Sequence, residues 1–306
     1  MRTFLDVKDR KADYEKICKE IQRLELGLRA VSVMYDDHSS DMFSKTNIFR
    51  LKDNIYYRLI SVQHQYKLLL EEQYRSEKYL EELVIGNPKA LDGFYGENPY
   101  FEMLEMNISS IFDGLIFHTV SIIDFFSHVV CYICQKNKSI EMYWSQLAKS
   151  SRGEKNEISK LQIAKVIDSV DRDFVCRLYD YRSRLVHHKR DRHLFTVNRG
   201  AQPGIFEVRI FSSPEAVKHF QLIKQDHKET EEFTLLFLSS WLISTSIKQI
   251  SLILEALVFE IKSASNFDEN MKKGKGKKWF PIGTFDPKSR SITLTSDILW
   301  EQFKRD

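Results

Sequence analysis

Between Asp13 and Val31 the apolar positions Tyr14, Ile17, Ile21, Leu24, Leu28 and Val31 recur every three or four residues, the spacing that gathers side chains on one face of a helix. The same spacing returns from Ile55 through Leu59, Val62, Tyr66 and Leu69, and it predicts a second long amphipathic helix. The polar run Asp36-Asp37-His38-Ser39-Ser40-Asp41 interrupts the pattern, so the two helices are expected to fold back as an antiparallel hairpin. From Gly86-Asn87-Pro88 to Asn98-Pro99, with Gly93 and Gly96 inside, the chain gains turn formers. That segment is the expected boundary between an N-terminal long-helix hairpin (1–86) and a helical core (100–263).

Asn107 to Gln135 reads as one long helix with two unlike faces. Ile111, Leu115, Ile122, Phe126, Val129 and Ile133 fall on one side, and Asp113, Ser121, Asp124, Ser127 and His128 gather on the other. Shorter helices are expected over Glu141–Lys149 and Glu157–Val170, followed by a helix from Asp171 to about His188. The pattern then changes to strand-like runs, His193–Val197 and Ile205–Phe211, joined by the turn formers Asn198 to Gly204; this predicts a β-hairpin insert. Ser213-Pro214-Glu215 supplies a cap and a first-turn proline for further helix, and the strongly apolar Leu235–Phe259 should pack against the central helix. The tail (264–306) carries the basic linker Met271–Lys278, a small hairpin expected from Trp279-Phe280 and Ser291–Thr295, and a last helical turn at Ile298-Leu299-Trp300. The fold class is mainly α: a helical bundle with a long helical hairpin and a small β-hairpin.

Composition narrows the function. The chain has 306 residues, enough for a sizeable core, and only 6 prolines and 11 glycines interrupt it. A formal charge of +3 is well short of the excess of a dedicated duplex-DNA binder, so any nucleic-acid site must be local. Met1 leads into Arg2-Thr3-Phe4-Leu5-Asp6 without an apolar signal core, and four cysteines are too few for a disulfide framework; a cytoplasmic protein is expected. Cys131-Tyr132-Ile133-Cys134 has redox or zinc half-site spacing, but its apolar helical surroundings point to buried structural cysteines. Leu115–Cys134 is the most apolar stretch, yet His118, Asp124 and His128 lie within it, which argues for a core helix and against a bilayer span.

The run Tyr181-Arg182-Ser183-Arg184-Leu185-Val186-His187-His188 carries the candidate chemistry. On a helix, Arg182 falls between Val175, Leu178, Leu185 and Val186, in the middle of an apolar stripe. A guanidinium buried there needs a partner, and Asp124, flanked by Ile122, Ile123, Phe125 and Phe126, is the candidate carboxylate. An arginine, a polar residue and a histidine after four to six intervening positions resembles the signature of the HEPN superfamily, helical domains of prokaryotic defence and toxin systems. Arg182, Ser183 and His187 match the four-residue form, and Arg182 with His188 the five-residue form. The resemblance covers roughly residues 105–263. It implies a metal-free endoribonuclease assembled at a homodimer interface, with no cofactor. Ser183 departs from the commoner asparagine. Lys189 stands where a related subclass carries a tyrosine that a partner nucleotidyltransferase modifies, so such modification is not implied. Arg58 and His64 satisfy the loose spacing as well, but Leu59 replaces the polar residue.

Metal-free RNA cleavage needs a base for the 2′-hydroxyl, an acid for the leaving 5′-oxygen and positive charge on the phosphorane. Histidine, with an ordinary pKa near about 6.5, serves the first two roles and the planar arginine fork the third. Products would carry a 2′,3′-cyclic phosphate and a 5′-hydroxyl. Five helical positions rotate the direction by about 140°, so Arg182 and His187 cannot stack on one face of a regular helix. Either the helix ends or distorts near Val186, or the two converge on a phosphate from different sides of a cleft. A second copy across a twofold axis would supply the second histidine. His188 is the fallback base, and Lys189, Arg190 and Arg192 would hold RNA phosphates. Three function classes follow: a toxin or abortive-infection ribonuclease with an antitoxin or defence-system partner and no membrane; a non-catalytic helical scaffold binding a protein, RNA or nucleotide; and a coiled-coil interaction protein. In the non-catalytic readings His187 is a helix-end cation and Arg182 a structural ion pair.

Overall fold

The computed structural model turns the apolar periodicities into helices longer than their sequence signatures. It describes residues 9–38, 48–86, 99–135, 141–153, 156–187, 193–199, 206–221, 233–265, 283–286 and 291–305. The elements are α1 (Arg10–His38), α2 (Ile48–Gly86), α3 (Pro99–Cys134), α4 (Trp144–Arg152), a 3₁₀ turn (Ile158–Lys160), α5 (Ile163–Val170), a π turn (Asp171–Val175) and α6 (Cys176–His187). They continue with β1 (Leu194–Arg199), β2 (Phe206–Phe211), α7 (Pro214–His219), α8 (Leu235–Ser263), β3 (Gly283–Asp286), β4 (Ser291–Leu294) and α9 (Thr295–Arg305). This is a mainly α-helical bundle with two small antiparallel hairpins.

Several boundaries differ from expectation: α4 runs Trp144–Arg152 rather than Glu141–Lys149, and the helix expected over Glu157–Val170 is a 3₁₀ turn followed by α5 from Ile163. α3 begins at Pro99 rather than near Asn107, because proline at the first helical position leaves no donor unsatisfied and the run that follows has no further breaker. The second hairpin pairs Gly283–Asp286 with Ser291–Leu294, so its first strand lies beyond Trp279-Phe280. The expected last helical turn is a helix of 11 residues, Thr295–Arg305, anchored by buried Trp300 and Phe303.

Tertiary contacts group the chain into two compact units, each assembled from three separate stretches. Unit one is Met1–Cys18, Ile60–Val120 and Asp173–Ser244; unit two is Lys19–Leu59, Ser121–Arg172 and Thr245–Asp306. In unit one, α1 and α2 run antiparallel, as expected of a hairpin: Gln63 donates to Cys18 Sγ and Tyr14 Oη, and Tyr66 Oη donates to Asp13, whose other oxygen accepts from Ser240 at 2.8 Å. The β1–β2 hairpin joins this unit in the register Leu194↔Phe211 to Arg199↔Phe206. Its outer edge is closed by side chains: Glu77 accepts the Val208 N–H at 3.1 Å and Gln73 donates to the Val208 carbonyl. Arg10 completes the arrangement with two hydrogen bonds of 2.8 Å to the two Glu77 oxygens. A bare strand edge needs such partners when it is buried.

In unit two the core is formed by Ile21, Leu24 and Leu28 of α1, Ile123 and Phe126 of α3, Leu147 of α4, Ile167 of α5, and Ile253 and Leu257 of α8. α3 and α8 are long and apolar enough to cross a membrane by length and composition, and in each at least half of that apolar stretch is buried in the fold.

Candidate functional site

The segment from Ile163 to His187 contains no glycine or proline, and helical geometry runs through it with one widened turn, the π turn Asp171–Val175. From within that turn onward, the residues that face the core are Phe174, Val175, Leu178 and Tyr181. Tyr181 is the centre of this face: its ring lies 5.4 Å from Phe220, 5.6 Å from His219 and 6.4 Å from Phe112, centroid to centroid. Arg182 follows it, turned by about 100°, and it is exposed. The apolar stripe expected around Arg182 is therefore centred one residue earlier. Tyrosine takes the core position because its ring buries a large apolar area, while Val186, counted in that stripe, is 47 % exposed.

The Arg182 guanidinium sits 5.8 Å above the half-buried ring of Phe117 on α3. This aromatic platform holds the cation near the surface and leaves its hydrogen-bonding edge for other groups. Ser183 and His187 are exposed too and, four positions apart, share a face of α6. Arg184, three positions before His187, pairs with Glu215 of α7 at 3.0 Å. α7 is itself pinned at its start, where Ser213 Oγ accepts the Ala216 N–H at 3.0 Å and the Ser213 N–H donates to His193 Nδ1 at 3.2 Å. α6 runs on through Val186 to His187, so the helix does not distort where the motif chemistry would want it to. Arg182 and His187 thus point about 140° apart.

Asp124, the carboxylate expected to answer a buried Arg182, is half-buried in unit two, where its Oδ1 accepts the Trp144 N–H at 3.2 Å. With Gln146 Oε1 accepting the Tyr143 N–H at 3.2 Å, two of the donors left over at the start of α4 are satisfied. Because Arg182 is exposed, the premise of an uncompensated buried guanidinium falls away.

Next to Asp124 lies a polar cluster that sequence spacing did not reveal. Trp144 Nε1 donates to Asp171 at 2.8 Å, Arg152 bridges Asp168 at 2.5 Å and Asp171, and Arg172 reaches Asp168 at 2.6 Å. The hydrogen bonds that Arg152 donates to Asp168 and then to Asp171 raise it above the usual arginine range, and the bond from Arg152 is the main cause that lowers Asp168. Arg152 is 16 and 19 positions from its partners, a distance with no periodic signature. The cluster fastens α4 to α5.

His188, Lys189, Arg190 and Arg192 lie outside the described residues. Arg58 stacks over the rings of Tyr57 and Phe125, at 5.4 Å and 5.8 Å. Cys131 is buried and its thiol is pushed up to about 11 by that burial; Cys134 is half-buried, and neither forms a disulfide. Among the described residues no group of three or more His, Cys, Asp or Glu side chains is arranged so that it could hold a metal ion. The chain matches no family model, no curated protein and no solved structure.

Proposed function

We propose that this chain is a metal-independent endoribonuclease of the HEPN type, a toxin or abortive-infection effector acting on RNA in its own cell. The observation that carries the reading is the exposure of Arg182, Ser183 and His187 together on the last turns of α6, with Arg182 held on Phe117 and its polar edge open to a phosphate. In this reading Arg182 balances the charge of the phosphorane and His187 moves the proton to or from a ribose oxygen. With the two residues about 140° apart on one helix, two α6 helices from a homodimer would have to face one RNA strand, so that each phosphate meets the arginine of one copy and the histidine of the other. The basic residues following in sequence, Lys189, Arg190 and Arg192, would hold neighbouring phosphates, and His188 would be the fallback base.

The test is cleavage of single-stranded RNA by the purified chain in EDTA, with end-group analysis for 2′,3′-cyclic phosphate. Activity should persist on chelation and vanish in His187→Ala and Arg182→Ala. Full activity in magnesium that disappears with EDTA would overturn the mechanism, and full activity in both variants would overturn the assignment of the residues. A non-catalytic scaffold is the second reading, favoured by the divergence of Arg182 and His187 and by the exposed rings of Tyr57 (65 %) and Tyr74 (58 %) on α2. RNA binding without cleavage would select it.

A further inference from the structure

In unit two, the last turn of α1 meets the first turn of α9 at a buried carboxylate. Asp37 is 4 % exposed, and it accepts a hydrogen bond of 2.9 Å from Ser296 Oγ, which is wholly buried. Beyond that contact α9 is seated by shape. Gly27 of α1 forms the notch: a Cβ there would stand 2.9 Å from the Phe303 ring and 3.1 Å from Leu254, so a glycine is what lets α9 approach. Trp300 and Phe303 are buried in that seat, and the Arg23 guanidinium lies 5.5 Å from the Phe303 ring centre.

The charged groups around Asp37 come from all three helices. Asp36 and His38 belong to α1, Lys262 to α8 and Asp297 to α9. Lys262 is engaged with Asp297 at 3.0 Å, and His38 Nδ1 lies 2.6 Å from Ser265 Oγ. Burial pushes Asp37 up to about 6; Ser296 pulls it back, while Asp36 and Asp297 push it further.

We propose that α9 is a pH-tuned strap, seated firmly on α1 and α8 in mild acid and released more readily as the pH approaches neutrality, with the Asp37 carboxyl buried beneath its first turn as the switch. The sign follows from where the proton binds better. A released Asp37 returns toward its ordinary value of 3.8, so docking gains from proton uptake in full below that value, and the gain is lost as pH rises through about 6. Burial lowers His38, which acts in the opposite sense, favouring release in acid. Asp37 is the group that touches α9 directly, through Ser296, and it sets the direction.

Hydrogen exchange on the full chain at pH 5 and pH 7, corrected for the intrinsic pH dependence of exchange, tests this on peptides from 295–305 against reference peptides from 62–80. The opening equilibrium of α9 should rise roughly tenfold from pH 5 to pH 7, as the displacement of Asp37 requires, with the reference peptides unchanged. Asp37→Asn should remove that rise and leave at most the opposite trend of His38. Ser296→Ala, which takes away the hydrogen bond favouring the charged form, should move the transition to higher pH. Equal protection of α9 at both pH values, the native slope in Asp37→Asn, or a loss of protection shared with the reference peptides would each overturn the strap. If Asp37→Asn does not fold, an unmoved transition in Ser296→Ala does so instead.

Discussion

Two arginines of unit one show how burial decides what a guanidinium can do. Arg10 and Glu77 have side chains only 9 % exposed, and they form a bidentate pair that also takes up the N–H of Val208 at a strand edge. Glu77 answers both terminal nitrogens of the guanidinium, while Arg10 Nε is buried with no hydrogen-bond partner among the described residues. Arg182 is exposed, and what it meets within the unit is the face of an aromatic ring. A ring face attracts the cation without using its N–H donors. The buried arginine is a structural element; the exposed one keeps its donors at the surface, where the proposed function would use them on a phosphate.

The sharpest way to break this comparison is at the positions that bury most. Tyr181→Ala removes a ring with no exposed surface from the core face of α6 and should destabilise by about 3–5 kcal/mol in chemical denaturation. A loss under about 1 kcal/mol would mean that the core face of α6 is not centred there. Glu77→Ala leaves Arg10 buried without its carboxylate and should also cost about 3–5 kcal/mol, whereas replacing both residues by apolar side chains should cost much less. Simple additivity of the two single changes would show that the pair is not closed.

Smaller effects are expected where side chains only finish a helix end or rest on the surface. Asp124→Ala removes an acceptor at the start of α4, and a loss of about 0.5–2 kcal/mol is expected in the same denaturation experiment. A loss of about 3 kcal/mol or more would show that Asp124 does more than finish the start of α4. Arg182→Ala should change stability least, within about 1 kcal/mol, since it removes an exposed cation–π contact. Under the proposed function the same change abolishes RNA cleavage, and that separation of stability from activity is the signature to look for.

Much of the architecture was legible in the chain, because a periodicity of three and four residues over a long stretch admits few alternatives. The α1–α2 hairpin, the central helix, the β1–β2 hairpin and the Ser213 cap all lie near their expected places. The candidate site was less so. Counting apolar types around Arg182 passed over Tyr181, whose hydroxyl makes it look amphipathic although the ring is wholly buried. One residue of phase is about 100° on a helix. That was enough to turn an exposed arginine into a buried one and to create a need for Asp124 as its partner.

Local pattern by itself determined the long helices, the Ser213 cap and the β1–β2 pairing, since those depend on interactions among neighbours in sequence. Tertiary structure alone decided which face of α6 meets the core, that Glu77 and Gln73 close the edge of β2, that Arg152 joins Asp168 to Asp171, and that Asp37 is buried against Ser296. These pairs are brought together by packing of elements distant in sequence. Their free energies depend on burial, which no spacing rule encodes.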